Sequence, residues 1–93
     1  MHHNEYITDE GLSYLPNVQY LNLSFNRLIT DLGLSYIPKI KKLFLSFNEN
    51  ITDEGLNFIK HIQILDLYSN LLITDKGVSQ LRFIEELDLH YNT

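Results

Sequence analysis

Cysteine is absent from this sequence of 93 residues, and its absence removes a disulfide framework, a thiolate metal site and a cysteine nucleophile together. It is also compatible with a reducing compartment. Basic residues are scarce. Seven Lys and Arg stand against twelve Asp and Glu, giving a net charge of -5. A nucleic-acid binder neutralises phosphates with a clustered basic surface, and the one local basic cluster is Lys39, Lys41 and Lys42, so no nucleic-acid partner is expected. No apolar run approaches the roughly 18 residues of a membrane span, and Met1-His2-His3-Asn4-Glu5 lacks the basic-then-apolar pattern of a secretory signal. A cytoplasmic address without a membrane partner is the expectation. Glycine and proline number only four and two, and phosphate-cradling glycine loops are missing because every glycine belongs to the repeat described next. What is present is ordinary for a folded protein: 44% hydrophobic and 20% charged residues, far from the signature of disorder. The length allows one domain, spanning 1–93, which buries only about two-thirds of the surface of its unfolded chain.

Ile-Thr-Asp recurs at residues 7, 29, 51 and 73, an unbroken spacing of 22. The units run over 7–28, 29–50, 51–72 and 73–93, with 1–6 as a partial unit. Gly11, Gly33, Gly55 and Gly77 share one repeat position and Pro16 and Pro38 another, so the residues that constrain backbone torsions are placed by the period. Asn4, Asn26, Asn48, Asn70 and Asn92 form a third column. Leu21/Leu23, Leu43/Leu45, Leu65/Leu67 and Leu87/Leu89 form a fourth.

Within a unit, Val18 to Asn26 alternates apolar and polar residues around Leu21-Asn22-Leu23, the pattern of a short strand with one buried face. Equivalent strands separated by crossovers too long for a hairpin should pair in parallel. Asp9, Asp31, Asp53 and Asp75 open the return segment, where a carboxylate accepts from free amides and faces the positive end of the helix dipole; they are read as N-caps. Leu12/Leu15, Leu34/Ile37, Leu56/Ile59 and Val78/Leu81 have the i, i+3 spacing that turns one face of a short helix inward, and Pro16 and Pro38 are expected to stop it.

Val18-x-x-Leu21-x-Leu23-x-x-Asn26 and its copies resemble the leucine-rich-repeat signature LxxLxLxxN, over most of the chain from Asn4 to Asn92. The Ile-Thr-Asp-x-Gly-Leu block is similar to the cysteine-containing subclass found beside F-box domains, with asparagine in place of the cysteine; in length the unit is closer to internalin-like repeats. The resemblance implies an α/β right-handed solenoid, with a four-stranded parallel sheet on the concave side and short helices on the convex side. It also implies an asparagine ladder that bonds backbone groups of the turns and is structural. Its functional implication is a protein-protein interaction module.

With Leu21 and Leu23 inward, period-two geometry turns Tyr20, Asn22 and Ser24 outward onto the concave face, with Phe25 on the turn beside them. The candidate contact residues for a protein partner are Tyr20, Lys42, Phe44, Ile64, Asp66, Tyr68, Asp88 and His90. Aromatic and basic character sits in the first two units, while Asp66, Glu85, Glu86 and Asp88 make the far end acidic. Phe25 and Phe47, at the turn position, are read as stacked structural residues. Four strands about 4.8 Å apart and about five residues long give a face of only a few hundred Å², against about 800 Å² per partner in a standard interface. Met1 to Asn4 occupy the repeat positions of Leu23 to Asn26, and the chain finishes at Asn92-Thr93 with no polar flank, although solenoids normally need polar caps. Open ends are therefore expected. Glu85, Glu86, Leu87, Leu89 and Tyr91 would be the self-association edge of a homo-oligomer, and the alternative to partner binding is a structural assembly unit or a fragment of a longer array.

No catalytic or metal site and no cofactor are expected. Asp66, Asp88 and His90 share a face as a carboxylate and imidazole set, but a shallow open sheet has no means of excluding water. His2-His3 lacks a third ligand in fixed geometry, and His61 is read as solvated on the return segment. Asn22-Leu23-Ser24 and Asn50-Ile51-Thr52 match the glycosylation acceptor pattern by coincidence.

Overall fold

The computed structural model describes residues 7–89; the expectations for His2, His3, Asn4, His90, Tyr91 and Asn92 concern positions outside them. Each coil begins with a threonine in extended conformation, φ between -113° and -123° at Thr8, Thr30, Thr52 and Thr74. Its hydroxyl oxygen accepts from an amide two or three residues on, at 3.2–3.4 Å, so threonine is the N-cap. One helical turn follows in every coil: α1 Asp9–Leu12, α2 Asp31–Leu34, α3 Asp53–Leu56 and α4 Asp75–Val78, with a 3-10 turn at Asn57–Ile59 after α3. The strands are β1 Tyr20–Asn22, β2 Lys42–Phe44, β3 Ile64–Asp66 and β4 Glu86–Asp88.

The aspartates are thus corrected from caps to first helical residues, and their carboxylates serve the next coil. Asp9 Oδ1 accepts from the Thr30 amide at 2.8 Å and its Oδ2 from the Thr30 hydroxyl; Asp31 treats Thr52, and Asp53 treats Thr74, in the same way. The cause is position. Threonine is the last extended residue and its oxygen reaches the free amides, whereas the aspartate is already helical and projects to the neighbour. It still lies in the first turn, where the helix dipole favours negative charge. The prolines do not stop the helices either. α1 and α2 end at Leu12 and Leu34, ahead of Pro16 and Pro38, and α3 and α4 end at the same repeat position although Lys60 and Arg82 stand where the prolines would be. At Ser13, Ser35 and Ser79 the hydroxyl instead donates back to the carbonyl three residues earlier, closing the turn.

The strands form one sheet in the order β1-β2-β3-β4, all neighbours parallel. Leu21, Leu43, Leu65 and Leu87 are register partners in file. Pairing continues past the three-residue strands: Lys42 N donates to Gln19 O, Leu23 N to Phe44 O and Phe25 N to Ser46 O, a pattern repeated into the third and fourth coils. With the helices on its other side this is an α/β solenoid. Its interior is a continuous stack in which Leu23, Leu45 and Leu67 and the isoleucines Ile29, Ile51 and Ile73 are buried, alongside Leu12, Leu34 and Leu56. Ile37, Ile59 and Leu81 are buried as expected, whereas Leu15 at the same position is 41% exposed, because it lies in the first coil of the stack. Asn26, Asn48 and Asn70 are fully buried; Asn48 Nδ2 donates to Leu23 O at 2.8 Å and Asn70 Nδ2 to Leu45 O at 2.7 Å, which links successive coils through their turns. Among the described residues, no helix is long and apolar enough to cross a membrane.

The glycine column follows from the aspartate bridge. None of these glycines has positive φ, yet a Cβ at Gly33, Gly55 or Gly77 would collide with the carboxylate of Asp9, Asp31 or Asp53 in the preceding coil, and at Gly77 it would also come within 2.9 Å of Asp53 Cα. At Gly11 the nearest atom is Ile7 Cγ2 at 3.7 Å, an ordinary contact. Gly77→Ala should therefore destabilise by about 1–3 kcal/mol through overpacking, while Gly11→Ala should be neutral or stabilise by up to about 1 kcal/mol. Urea denaturation of the two variants checks this; equal effects would show that the bridge does not select glycine.

Candidate interaction surface

Register arranges the outward side chains of the sheet into two rows. One runs Tyr20, Lys42, Ile64, Glu86 and the other Asn22, Phe44, Asp66, Asp88. Lys42, Phe44, Ile64, Asp66 and Asp88 are half-buried, and Tyr20 and Glu86 are exposed. Three of the candidate residues come together at the β1–β2 end. The Tyr20 and Phe44 rings meet edge to face with centroids 6.0 Å apart, and Lys42 Nζ lies 5.2 Å from the Tyr20 centroid and 5.7 Å from that of Phe44. One cation facing two rings gains about 0.5–1 kcal/mol per contact at an exposed site, and the two rings restrict an otherwise flexible side chain. This cluster was not foreseen as a unit. Its signal was there: residues 20, 42 and 44 are an in-register neighbour and a same-face i+2 neighbour.

Ile64 continues the first row into the third coil, and beyond it the charge reverses. Asp66 and Asp88 are register partners, two like charges side by side, which is unfavourable in a sheet. Asp66 Oδ1 also accepts from the Tyr68 amide at 2.8 Å, so this carboxylate closes the turn as well as facing outward. Asn22 Oδ1 does the same for Ser24 N at 3.0 Å.

Ser24 departs from the expected alternation. It is buried, and its Oγ accepts from Ser46 N at 3.2 Å, a contact to the next coil. The turn passes through the left-handed region at Phe25 (φ 69°), Phe47 (φ 63°) and Ser69 (φ 60°). Phe25 and Phe47 stack at 4.8 Å and 18°, in keeping with the structural reading of the turn aromatics. The next residue in that column is Ser69, which has no ring, and Tyr68 from the adjoining column takes its place at 5.3 Å from Phe47. Tyr68 is therefore a structural partner of Phe47 as well as a candidate contact. On the last strand Glu85 and Glu86 are exposed, while Leu87 and Leu89 are partly buried against the core.

The family model described as Leucine Rich repeat matches residues 14–38, 36–60 and 58–81, three consecutive overlapping segments. No curated protein matches the chain significantly.

A left-handed backbone costs a non-glycine residue about 1–2 kcal/mol, which stacking offsets at Phe25 and Phe47 but not at Ser69. Ser69→Gly should stabilise by up to about 1 kcal/mol, the relief being reduced by the extra freedom of glycine in the unfolded chain. Phe47→Gly should destabilise by more than about 1 kcal/mol, since both ring contacts go. Thermal denaturation of both variants reads the two signs.

Proposed function

The chain belongs to the leucine-rich-repeat family, and from that premise we propose that it is a non-enzymatic interaction module whose protein partner lies across the outward face of the sheet. Leucine-rich repeats are generally protein-protein interaction modules, and the observation that carries the reading to this face is the Tyr20–Lys42–Phe44 cluster. Aromatic residues form the energetic centre of many interfaces, where they contribute area at small entropic cost. The partner's chemistry follows from the gradient. A carboxylate or an aromatic ring suits the Lys42 end, and a lysine or arginine relieves the crowding of Asp66 and Asp88. The openness of the face favours binding over catalysis, since an enzyme needs an enclosed site that excludes water.

A second reading has its own observation. Leu21, Ile84, Leu87 and Leu89 are only partly buried, whereas their counterparts Leu43, Ile62, Leu65 and Leu67 are buried. Among the described residues β1 and β4 are the outermost strands of the sheet, and such edges suit stacking of further coils, from a second copy or a longer array.

The face is tested by capture from the native source on immobilised protein. Phe44→Ala combined with Lys42→Ala should weaken retention by about 30-fold or more, the factor for loss of a hot spot; Tyr68 is left intact because it supports the turn. Equal retention by wild type and variant would sink the sheet-face assignment. Sedimentation reads the second possibility: a concentration-dependent dimer that dissociates on Glu85→Arg with Glu86→Arg supports edge pairing, and a monomer throughout removes self-association.

A further inference from the structure

The segments that lead from each helix back to its strand form another surface, on the rim of the coils. Lys39, His61 and Phe83 occupy one repeat position there, and Lys60 and Arg82 the position before it. Lys39, Lys41 and His61 line a depression of 310 Å³. Lys60, His61, Arg82 and Phe83 line a second of 570 Å³. His61 borders both, which sets them side by side along the rim of neighbouring coils. Its ring lies 5.4 Å from that of Phe83, tilted by 32°, and Phe83 is 56% exposed. His61 is exposed, as expected, but it rests on an aromatic floor.

Charge sets this groove apart. Lys39, Lys41, Lys60 and Arg82 are four of the seven Lys and Arg in a chain of net charge -5, and no Asp or Glu lines either depression. The depression beside the helices, which meets the larger of these two at Ser79 and Gln80, is lined by Asp31, Asp53 and Glu54 with Lys76, so the charge changes sign on crossing from the rim to the helices. A cationic strip on an acidic protein focuses a short anion and repels a long one, because a polyanion that overran the groove would meet the acidic surplus. Adjacent strands lie about 4.8 Å apart, so the groove spans about 10–15 Å, the length of three to five extended residues. Glu85 stands where Lys41 stands two coils earlier, which ends the basic strip at its far side and leaves Phe83 as an apolar contact there.

We propose that this rim groove binds a short acidic peptide segment of a partner protein, its carboxylates on Lys39, Lys41, Lys60 and Arg82 and an apolar side chain on Phe83. The site is separate from the sheet face and does not depend on that assignment. Nucleic acid and anionic membrane are the competing occupants, and the test separates them.

The probe is a fluorescein-labelled peptide of glutamates with one leucine, titrated with the whole chain at low salt and followed by anisotropy. Saturable binding is expected, weakened at least about tenfold by Lys39→Glu, Lys60→Glu and Arg82→Glu together and by added salt, and unchanged by Phe44→Ala. The neutral set Lys39→Gln, Lys60→Gln and Arg82→Gln should weaken it less, and it keeps the test readable should the reversed set misfold. A single-stranded oligonucleotide long enough to overrun the groove and phosphatidylserine vesicles should not bind. The proposal is overturned by an absence of saturable peptide binding, by equal affinity in both variant sets and the wild type, or by oligonucleotide or vesicle binding as tight as that of the peptide.

Discussion

Hydrogen bonds from side chains of one coil to the backbone and side chains of its neighbour are the constraint on which the rest of the molecule depends. The Asn48 amide finds its acceptor at Leu23 O, one coil back, and the Asp31 carboxylate finds its donors on Thr52, one coil on. A buried group that loses its partner costs about 1–3 kcal/mol. Adding or deleting one residue within a coil would shift the asparagine, the threonine and the strand pairing together, so the penalty would be met several times over. That is a physical reason for a spacing of 22 held without drift across four units. Hydrophobic stacking alone would tolerate more slippage, because burial is not directional.

The period was legible because it acts through residues whose types are unusual in themselves: glycine, proline, asparagine and paired leucines. The file of Leu21, Leu43, Leu65 and Leu87 and the parallel sheet followed from it directly. What the sequence hid were assignments that depend on a neighbouring coil. Threonine and aspartate are both good capping residues, and adjacent in sequence they are interchangeable on paper. Only the extended conformation of Thr30 and the contact of Asp9 with it decide which one caps. The glycine column likewise looks like a matter of torsion until Asp9 is seen against Gly33. Pro16 and Pro38 suggested the wrong helix ends because a breaker after a helix reads as its cause, whereas every coil ends its α-helix four residues ahead of that position, with or without a proline there.

The outward rows show a different kind of legibility. Alternation placed Tyr20, Lys42 and Phe44 on one face correctly, since period two is a property of the strand itself. It failed at Ser24, two residues past the end of β1 and one before the left-handed residue Phe25. The contact of Tyr68 with Phe47 escaped notice because it crosses from one column to the next, compensating for the missing ring at Ser69. The rim groove escaped for a related reason. Lys39, His61 and Phe83 share a position but not a residue type, so a column defined by identity passes over them.

One strict period therefore does two jobs. It stabilises the interior with repeated residues, and it delivers unlike residues to fixed places on the exterior. The sheet face is too small for a standard interface, with a few hundred Å² against about 800 Å² per partner, and the rim groove is short as well. A partner that engages one of them is held loosely. A partner that lays an aromatic or cationic patch on the sheet and an acidic segment along the rim meets the second site at an effective concentration set by the short path between them, and its affinity rises without either contact becoming stronger. Because the same hydrogen-bonded stack carries both surfaces, a partner that used the two proposed sites together would be selected by their spacing, where neither surface has the area to select it alone.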